Sequence, residues 1–305
     1  MAHVTLIRPP MVILRLVQSR STCPPIGIAY LAGSLRSMKH EVAVIDAVGE
    51  SIFQFTKINK NKNIAHGLTI EEIVNRIDPT TEYICVSTMF SIEWPYDYQI
   101  IRAIKKKYPN KIIIVGGEHV TAASDWIIKN CPEVDYCVIG EGEKKLIELI
   151  NFLSCPEKRF DKNGIISRTF SRPSREGPVD KYLMSLRIRS VDDIPLPAWD
   201  LVPLNNYLDN NFGYGVDKGR NMPMLATRGC PYQCTFCSSA QMWSTRYVAR
   251  DPAKVLDEME TYLKDYKIDN FSFYDLTAIV KKDWIVKFCQ LIIERDLEFS
   301  WQLPS

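Results

Sequence analysis

Three cysteines carry the clearest chemistry in this sequence. Cys230, Cys234 and Cys237 stand in the stretch Thr227-Arg228-Gly229-Cys230-Pro231-Tyr232-Gln233-Cys234-Thr235-Phe236-Cys237, a Cys-x3-Cys-x2-Cys spacing. Thiolates that close together grip one soft metal centre, and they favour iron–sulfur clusters, zinc or Cu(I). A structural zinc site closes its tetrahedron with four ligands. No fourth Cys or His follows at finger spacing, and the next cysteine is Cys289. Three ligands therefore point to a cubane cluster with one iron open to a small molecule.

This spacing, with Arg228-Gly229 before it and an aromatic just before the last cysteine, resembles the signature of the radical S-adenosylmethionine (SAM) enzymes. The resemblance implies that Cys230, Cys234 and Cys237 hold a [4Fe-4S] cluster. It implies that SAM chelates the open iron and is split reductively to a 5′-deoxyadenosyl radical. Phe236 is then expected against the cluster or the SAM adenine. Asp275, after a strand further on, resembles an acidic position that touches SAM or a ligand, a helix cap being the alternative. Arg228 and Arg246 are candidates for the SAM carboxylate, with surface salt bridges as the other reading.

The elements before the triad read as an α/β domain. Apolar runs at 4–7, 42–45, 83–87, 111–115 and 136–139 alternate with helical patterns at 26–38, 97–108 and 143–153. Such alternation predicts a doubly wound parallel sheet, and ligands bind such sheets at the carboxyl ends of their strands. Those ends hold Pro10, then Ser87 and Thr88, then Gly116, Gly117, Glu118 and Thr121, then Gly140, Glu141 and Gly142. Glycines there let a ligand approach the backbone, although tight turns need them equally. Together with Pro25-Ile26-Gly27-Ile28-Ala29-Tyr30-Leu31-Ala32, these stretches resemble the Rossmann-like cobalamin-binding domain fused to many radical SAM enzymes. The resemblance implies that the nucleotide tail of cobalamin threads into the sheet while the corrin faces the cluster domain. The Asp-x-His-x-x-Gly motif that supplies a cobalt-ligating His in methionine-synthase-like domains is absent from the sequence. Gly116-Gly117-Glu118 looks like a motif that binds the SAM amine, but it precedes the cysteines by too long a stretch to serve them. His119 is expected to pack or hydrogen-bond rather than ligate cobalt, and His3, His40 and His66 are expected to be solvated.

The expected domains are 1–153 for cobalamin, 154–215 as a connecting segment, and 216–305 as the first part of a radical SAM β/α barrel. Residues 48–68 read as a solvated loop, 207–219 as a lid or interface loop, and 191–200 as a Pro-stiffened bridge into the cluster domain. Strands are expected at 223–227, 270–274 and 298–303, with helices following Asp251-Pro252 and Asp283. About six βα units make such a barrel and roughly half are present, so a longer protein with this N-terminal portion is expected. The six cysteines outside the triad read as buried thiols.

Net charge is +2, which gives no electrostatic case for nucleic acid or an anionic membrane. No apolar run reaches about 18 residues, so no membrane span is expected. Nine scattered cysteines do not form a secreted disulfide framework, and a cytoplasmic setting follows. The family resemblance implies methylation of an unactivated carbon on a small-molecule or natural-product-like substrate, with a flavodoxin or ferredoxin as electron donor. Radical ring formation is the alternative within the class. A non-catalytic cluster and cobalamin module is the alternative outside it.

Overall fold

The computed structural model describes residues 1–14, 22–58, 62–155, 160–171, 181–216, 219–277 and 280–303. In chain order the first part contains β1 (His3–Arg8), β2 (Met11–Leu14), α1 (Ile26–Ser37), β3 (Glu41–Asp46), β4 (Phe55–Ile58), β5 (Asn63–His66), α2 (Ile70–Arg76), β6 (Tyr83–Ser87), α3 (Trp94–Lys107), β7 (Ile112–Gly116), α4 (Glu118–Asn130), β8 (Tyr136–Val138), α5 (Gly142–Ser154) and β9 (Ile165–Ile166).

Five of these strands form a parallel sheet in the order β3-β1-β6-β7-β8, and β9 closes its edge antiparallel to β8. The strand order reverses between β1 and β6, which is where such sheets open a crevice for ligands. The strands are apolar along their length because helices cover both faces. On one face Leu6, Cys85, Ile114 and Val138 pack against Ile28, Leu35, Leu146 and Leu149 of α1 and α5. On the other, Ile7, Val86 and Val115 pack against Ile73, Ile100, Val120 and Ile127 of α2, α3 and α4. The start of α2 is set by a capping box: Glu72 N–H donates to the Thr69 hydroxyl, and the Glu72 carboxylate accepts from Thr69 N–H.

The expected loop at 48–68 is different in the structure. Met11–Leu14, Asn63–His66 and Phe55–Ile58 form a second, antiparallel sheet, β2-β5-β4. A polar-looking run is a strand here because pairing, rather than burial, satisfies its backbone; residues 59–61 of that run lie outside the described residues. His66 is buried with its ring Nε2 2.6 Å from the Ile52 carbonyl, and His40 is buried as well, so neither is solvated. His3 remains half-exposed beside Glu41.

The second part contains α6 (Lys181–Leu186), α7 (Leu204–Leu208), β10 (Asn221–Met224), β11 (Thr227–Arg228), α8 (Ser239–Met242), β12 (Val248–Ala249), α9 (Pro252–Tyr266), β13 (Asn270–Phe273), α10 (Lys282–Glu294) and β14 (Ser300–Gln302). β10, β13 and β14 form a parallel sheet in that order. The first strand ends at Met224 rather than at 227, because Thr227 and Arg228 leave the sheet to pair with Ala249 and Val248. α9 begins as its sequence dictates: the Asp251 carboxylate accepts from Ala253 N–H at 2.8 Å and Pro252 takes the first helical position.

Residues 191–200 fasten the two parts together. Ala198 N–H donates to the Ala29 carbonyl of α1, and Trp199 Nε1 donates to the Tyr262 hydroxyl of α9. Gly33 of α1 permits this approach, since a Cβ there would lie 2.1 Å from the Leu196 carbonyl oxygen. The expected lid at 207–219 starts instead with a buried anchor. Tyr207 donates to Asp46 at the end of β3 at 2.6 Å, and residues 217–218 lie outside the described residues. Among the described residues no helix is long and apolar enough to cross a membrane.

Candidate functional site

The carboxyl ends of β6, β7 and β8 face the neck of the cysteine loop across a cavity of about 340 Å³. Its floor is the apolar slot between the sheet and α1 and α5, with Leu6, Cys85, Ile114, Val138, Ile28, Leu31 and Leu146 on its walls. Its far side is built by Leu225, Thr227, Arg228 and Gly229 before the cysteines, and by Met242, Trp243, Tyr274 and Leu276 after them.

Eight of the residues expected at the strand ends line this cavity: Ser87, Gly116, Gly117, Glu118, Thr121, Gly140, Glu141 and Gly142. Gly117 has φ +113°, and a Cβ there would lie 2.3 Å from the Thr88 carbonyl oxygen. Only glycine fits that turn. The Thr121 hydroxyl donates to the Gly117 carbonyl and accepts from Gly140 N–H, joining two strand-end turns. Burial raises the Glu118 carboxyl above its usual range. His119 faces away, with Nδ1 2.8 Å from the Ser91 hydroxyl and its ring against Trp94.

Four expected residues lie elsewhere. Pro10 and Thr88 are buried off the cavity walls. Phe236 is 92% exposed, because the loop that carries it projects from the body. Asp275 faces backbone, its Oδ1 accepting from Ala226 and Thr227 N–H at 3.0 Å each. This ties the end of β13 to the start of the cysteine loop. Burial pushes its carboxyl up to about 7, although the two amides favour the charged form.

A charged layer lies between the cavity and the cysteine loop. Arg228 Nη1 is 3.1 Å from Glu141 and Nη2 is 2.5 Å from Glu143, and its guanidinium lies over the Tyr30 ring. Glu141 is buried and the Arg228 and Glu143 side chains are only 11% exposed, so the Arg228 pairing is a seam between the two parts rather than a surface salt bridge. Burial opposes the charge on Glu143, but Arg228 outweighs it and holds the carboxyl below its usual value. Arg187 and Trp243 are not among the expected site residues; nothing in their local sequence marks them, and only the folding of 181–188 and 239–243 over the strand ends brings them in, whereas Glu143 ends the Gly-Glu-Gly-Glu stretch at the β8 strand end.

Gly229 opens the cysteine loop with φ +81°, where a Cβ would meet the Arg246 carbonyl at 2.0 Å. The β11–β12 pairing closes its neck. Cys230 is half-buried and Cys234 and Cys237 are exposed. Cys237 N–H donates to the Cys234 carbonyl, and the Ser239 hydroxyl and amide hold the Cys237 thiol below its usual range. Among the described residues no three His, Cys, Asp or Glu side chains converge as a metal cage. In type and number, three accessible thiols on one loop still suit a soft iron–sulfur centre. Of the other cysteines, Cys85, Cys131 and Cys137 are buried thiols as expected, whereas Cys155 is exposed and Cys23 and Cys289 are half-buried.

Fold and site thus define a doubly wound ligand-binding domain whose strand ends face a β/α unit bearing a three-cysteine loop. The family model for the B12 binding domain matches residues 13–150. An uncharacterized methyltransferase of Pyrococcus horikoshii is 30% identical over 286 residues, covering 93% of this chain and 56% of its own. An anaerobic magnesium-protoporphyrin IX monomethyl ester cyclase of Rubrivivax gelatinosus is 27% identical, covering 92% and 46%. Solved structures of the radical S-adenosylmethionine methyltransferase TsrM of Kitasatospora setae share the fold at TM-scores of 0.65 and 0.64, covering 97% of this chain and 51% of theirs at 19% and 18% identity. The chain is thus similar to the B12 binding domain over residues 13–150, and to named methyltransferases and cyclases over nearly its whole length. It spans about half the length of the relatives it matches.

Proposed function

We propose that this chain is the cofactor-binding half of a cobalamin-dependent radical SAM enzyme, most simply a C-methyltransferase. The observation that carries the reading is the cavity of about 340 Å³ that joins the strand ends to the neck of the cysteine loop. A slot with apolar walls and glycine turns suits the nucleotide tail of cobalamin. The neighbouring thiols Cys230, Cys234 and Cys237 would hold the [4Fe-4S] cluster that binds SAM. When bound, these groups supply a 5′-deoxyadenosyl radical and a methyl donor.

The chain's own residues position that chemistry. Gly117 and Gly140 keep the strand-end turns open to the tail. Arg228, paired with Glu141 and Glu143, holds the cysteine loop at a fixed distance from the sheet. Asp275 fixes the entry to that loop through two backbone amides. Apolar side chains line much of both sides of the cavity, a setting that would limit water near a radical once the cofactors are bound.

TsrM is named as a methyltransferase with tryptophan and a SAM analogue bound in one structure and cobalamin and a [4Fe-4S] cluster in another, and the Pyrococcus relative is also named a methyltransferase. These names support a small-molecule substrate and methyl transfer here. Ring formation is the second reading, supported by the 27% identity to the Rubrivivax cyclase. A flavodoxin or ferredoxin would deliver the electron in a reducing cytoplasm, a setting supported by nine free cysteines.

The test is anaerobic reconstitution of the full-length protein with iron, sulfide and cobalamin, followed by SAM and a reductant. Formation of 5′-deoxyadenosine and methylated product is expected. A protein with a complete cluster that never cleaves SAM overturns the enzyme reading in favour of a non-catalytic module.

A further inference from the structure

Arg187 is a side chain on the cavity wall whose chemistry the arrangement above leaves unused. Its side chain is 3% exposed, yet none of its three guanidinium nitrogens has a hydrogen-bond partner. The nearest carboxylate oxygen, Glu141 Oε1, is 3.6 Å from Nη1, beyond hydrogen-bond distance. Glu141 is already committed: Oε1 accepts from Arg228 and Oε2 accepts from Ile188 N–H. The guanidinium lies over the Trp243 ring at 4.8 Å, which fixes its plane and satisfies no N–H. Arg228, on the same wall, donates instead to Glu141 and Glu143.

A buried charged donor without an acceptor is costly. Guanidinium forks match the two oxygens of a phosphate or carboxylate. Burial also weakens the hold of this guanidinium on its proton, and an anion bound against it would reverse that. We propose that Arg187 is the anion anchor of the cavity, donating its guanidinium N–H groups to an oxyanion of a bound cofactor. This rests on the cofactor reading above. Two sources share that chemistry: the phosphate of the cobalamin nucleotide tail and the carboxylate of SAM.

The experiment compares wild type, Arg187→Met and Arg187→Lys as full chains with reconstituted clusters. Binding is followed by the visible spectrum for cobalamin and for cobinamide, which lacks the phosphate-bearing tail, and by calorimetry for SAM and decarboxylated SAM. Arg187→Met is expected to weaken one intact ligand about tenfold or more while changing its truncated counterpart less than about twofold, the loss expected for a hydrogen bond to a charged group. Loss confined to cobalamin assigns the phosphate, and loss confined to SAM assigns the carboxylate. Arg187→Lys keeps the charge without the fork and is expected to lose several-fold; it serves alone if Arg187→Met does not fold by circular dichroism. Equal loss for intact and truncated ligands, or no loss, overturns the anchor. Wild-type protein that binds neither cobalamin nor SAM overturns instead the cofactor reading on which it rests.

Discussion

Arg228, one residue before the glycine that opens the cysteine loop, is ion-paired with Glu143 in the first turn of α5, Nη2 to Oε1 at 2.5 Å. This one contact sets how the loop stands over the sheet, because both ends are only 11% exposed and Tyr30 and Glu141 hold the guanidinium from the other sides. Removing one partner leaves the other charged and buried. Arg228→Met is expected to lower stability by about 3–5 kcal/mol, and the double variant with Glu143→Leu to recover part of it. Denaturant unfolding of the three proteins is the check. A single variant as stable as wild type would show that the seam carries no load.

Asp275 predicts a pH dependence. Its carboxyl is raised from 3.8 to about 7, chiefly by burial. Between those values the folded chain keeps a proton that the unfolded chain has released. Stability is therefore expected to fall as pH rises from about 4 to about 7, and to level off above that. Asp275→Asn keeps an oxygen to accept from Ala226 and Thr227 and removes the titration. Urea midpoints across this range should slope more steeply in wild type than in the variant, and parallel curves would refute the assignment.

Gly117→Ala is expected to cost at least about 1–3 kcal/mol from backbone strain alone, with the clash against the Thr88 carbonyl added. Cobalamin binding should weaken with it, because the displaced turn forms the cavity wall. Gly116→Ala is the control: a Cβ there has its nearest neighbour at an ordinary 3.5 Å. A melting temperature unchanged in Gly117→Ala would mean that the turn relaxes without cost.

Alanine at Cys230, Cys234 or Cys237 is expected to abolish cluster uptake, read as bound iron and sulfide after anaerobic reconstitution. Cys289→Ala should take up iron as wild type does. Full iron content in any single triad variant would remove that cysteine from the ligand set. Treatment of the reconstituted protein with an iron chelator should bleach the cluster while leaving cobalamin in place, since the slot and the loop are separate structures.

The strands of the parallel sheet and helices α1, α3 and α5 are legible in the sequence because each is a short apolar run or a helical repeat whose period states its type, whereas α2 and α4 are not among the expected helices. The capping at Asp251 is legible for the same local reason. The antiparallel sheet β2-β5-β4 is not, because β4 and β5 are mixed in polarity, β2 is a four-residue apolar run, and partners distant in sequence decide that they pair. Thr227 was read into a strand that ends at Met224, since local pattern cannot tell a strand from a residue that leaves it for Ala249.

The sequence by itself determined the cysteine spacing, the βα alternation and the glycines at the strand ends, all of which depend on residues close together in the chain. Tertiary structure alone decided that Arg228 is paired with Glu141 and Glu143, that Asp275 holds backbone rather than the cavity, and that Arg187 lies unpaired by hydrogen bonds on the cavity wall. The reason is physical: whether a charged side chain is solvated, paired or left waiting for a ligand depends on what surrounds it. Those surroundings come from segments tens of residues away.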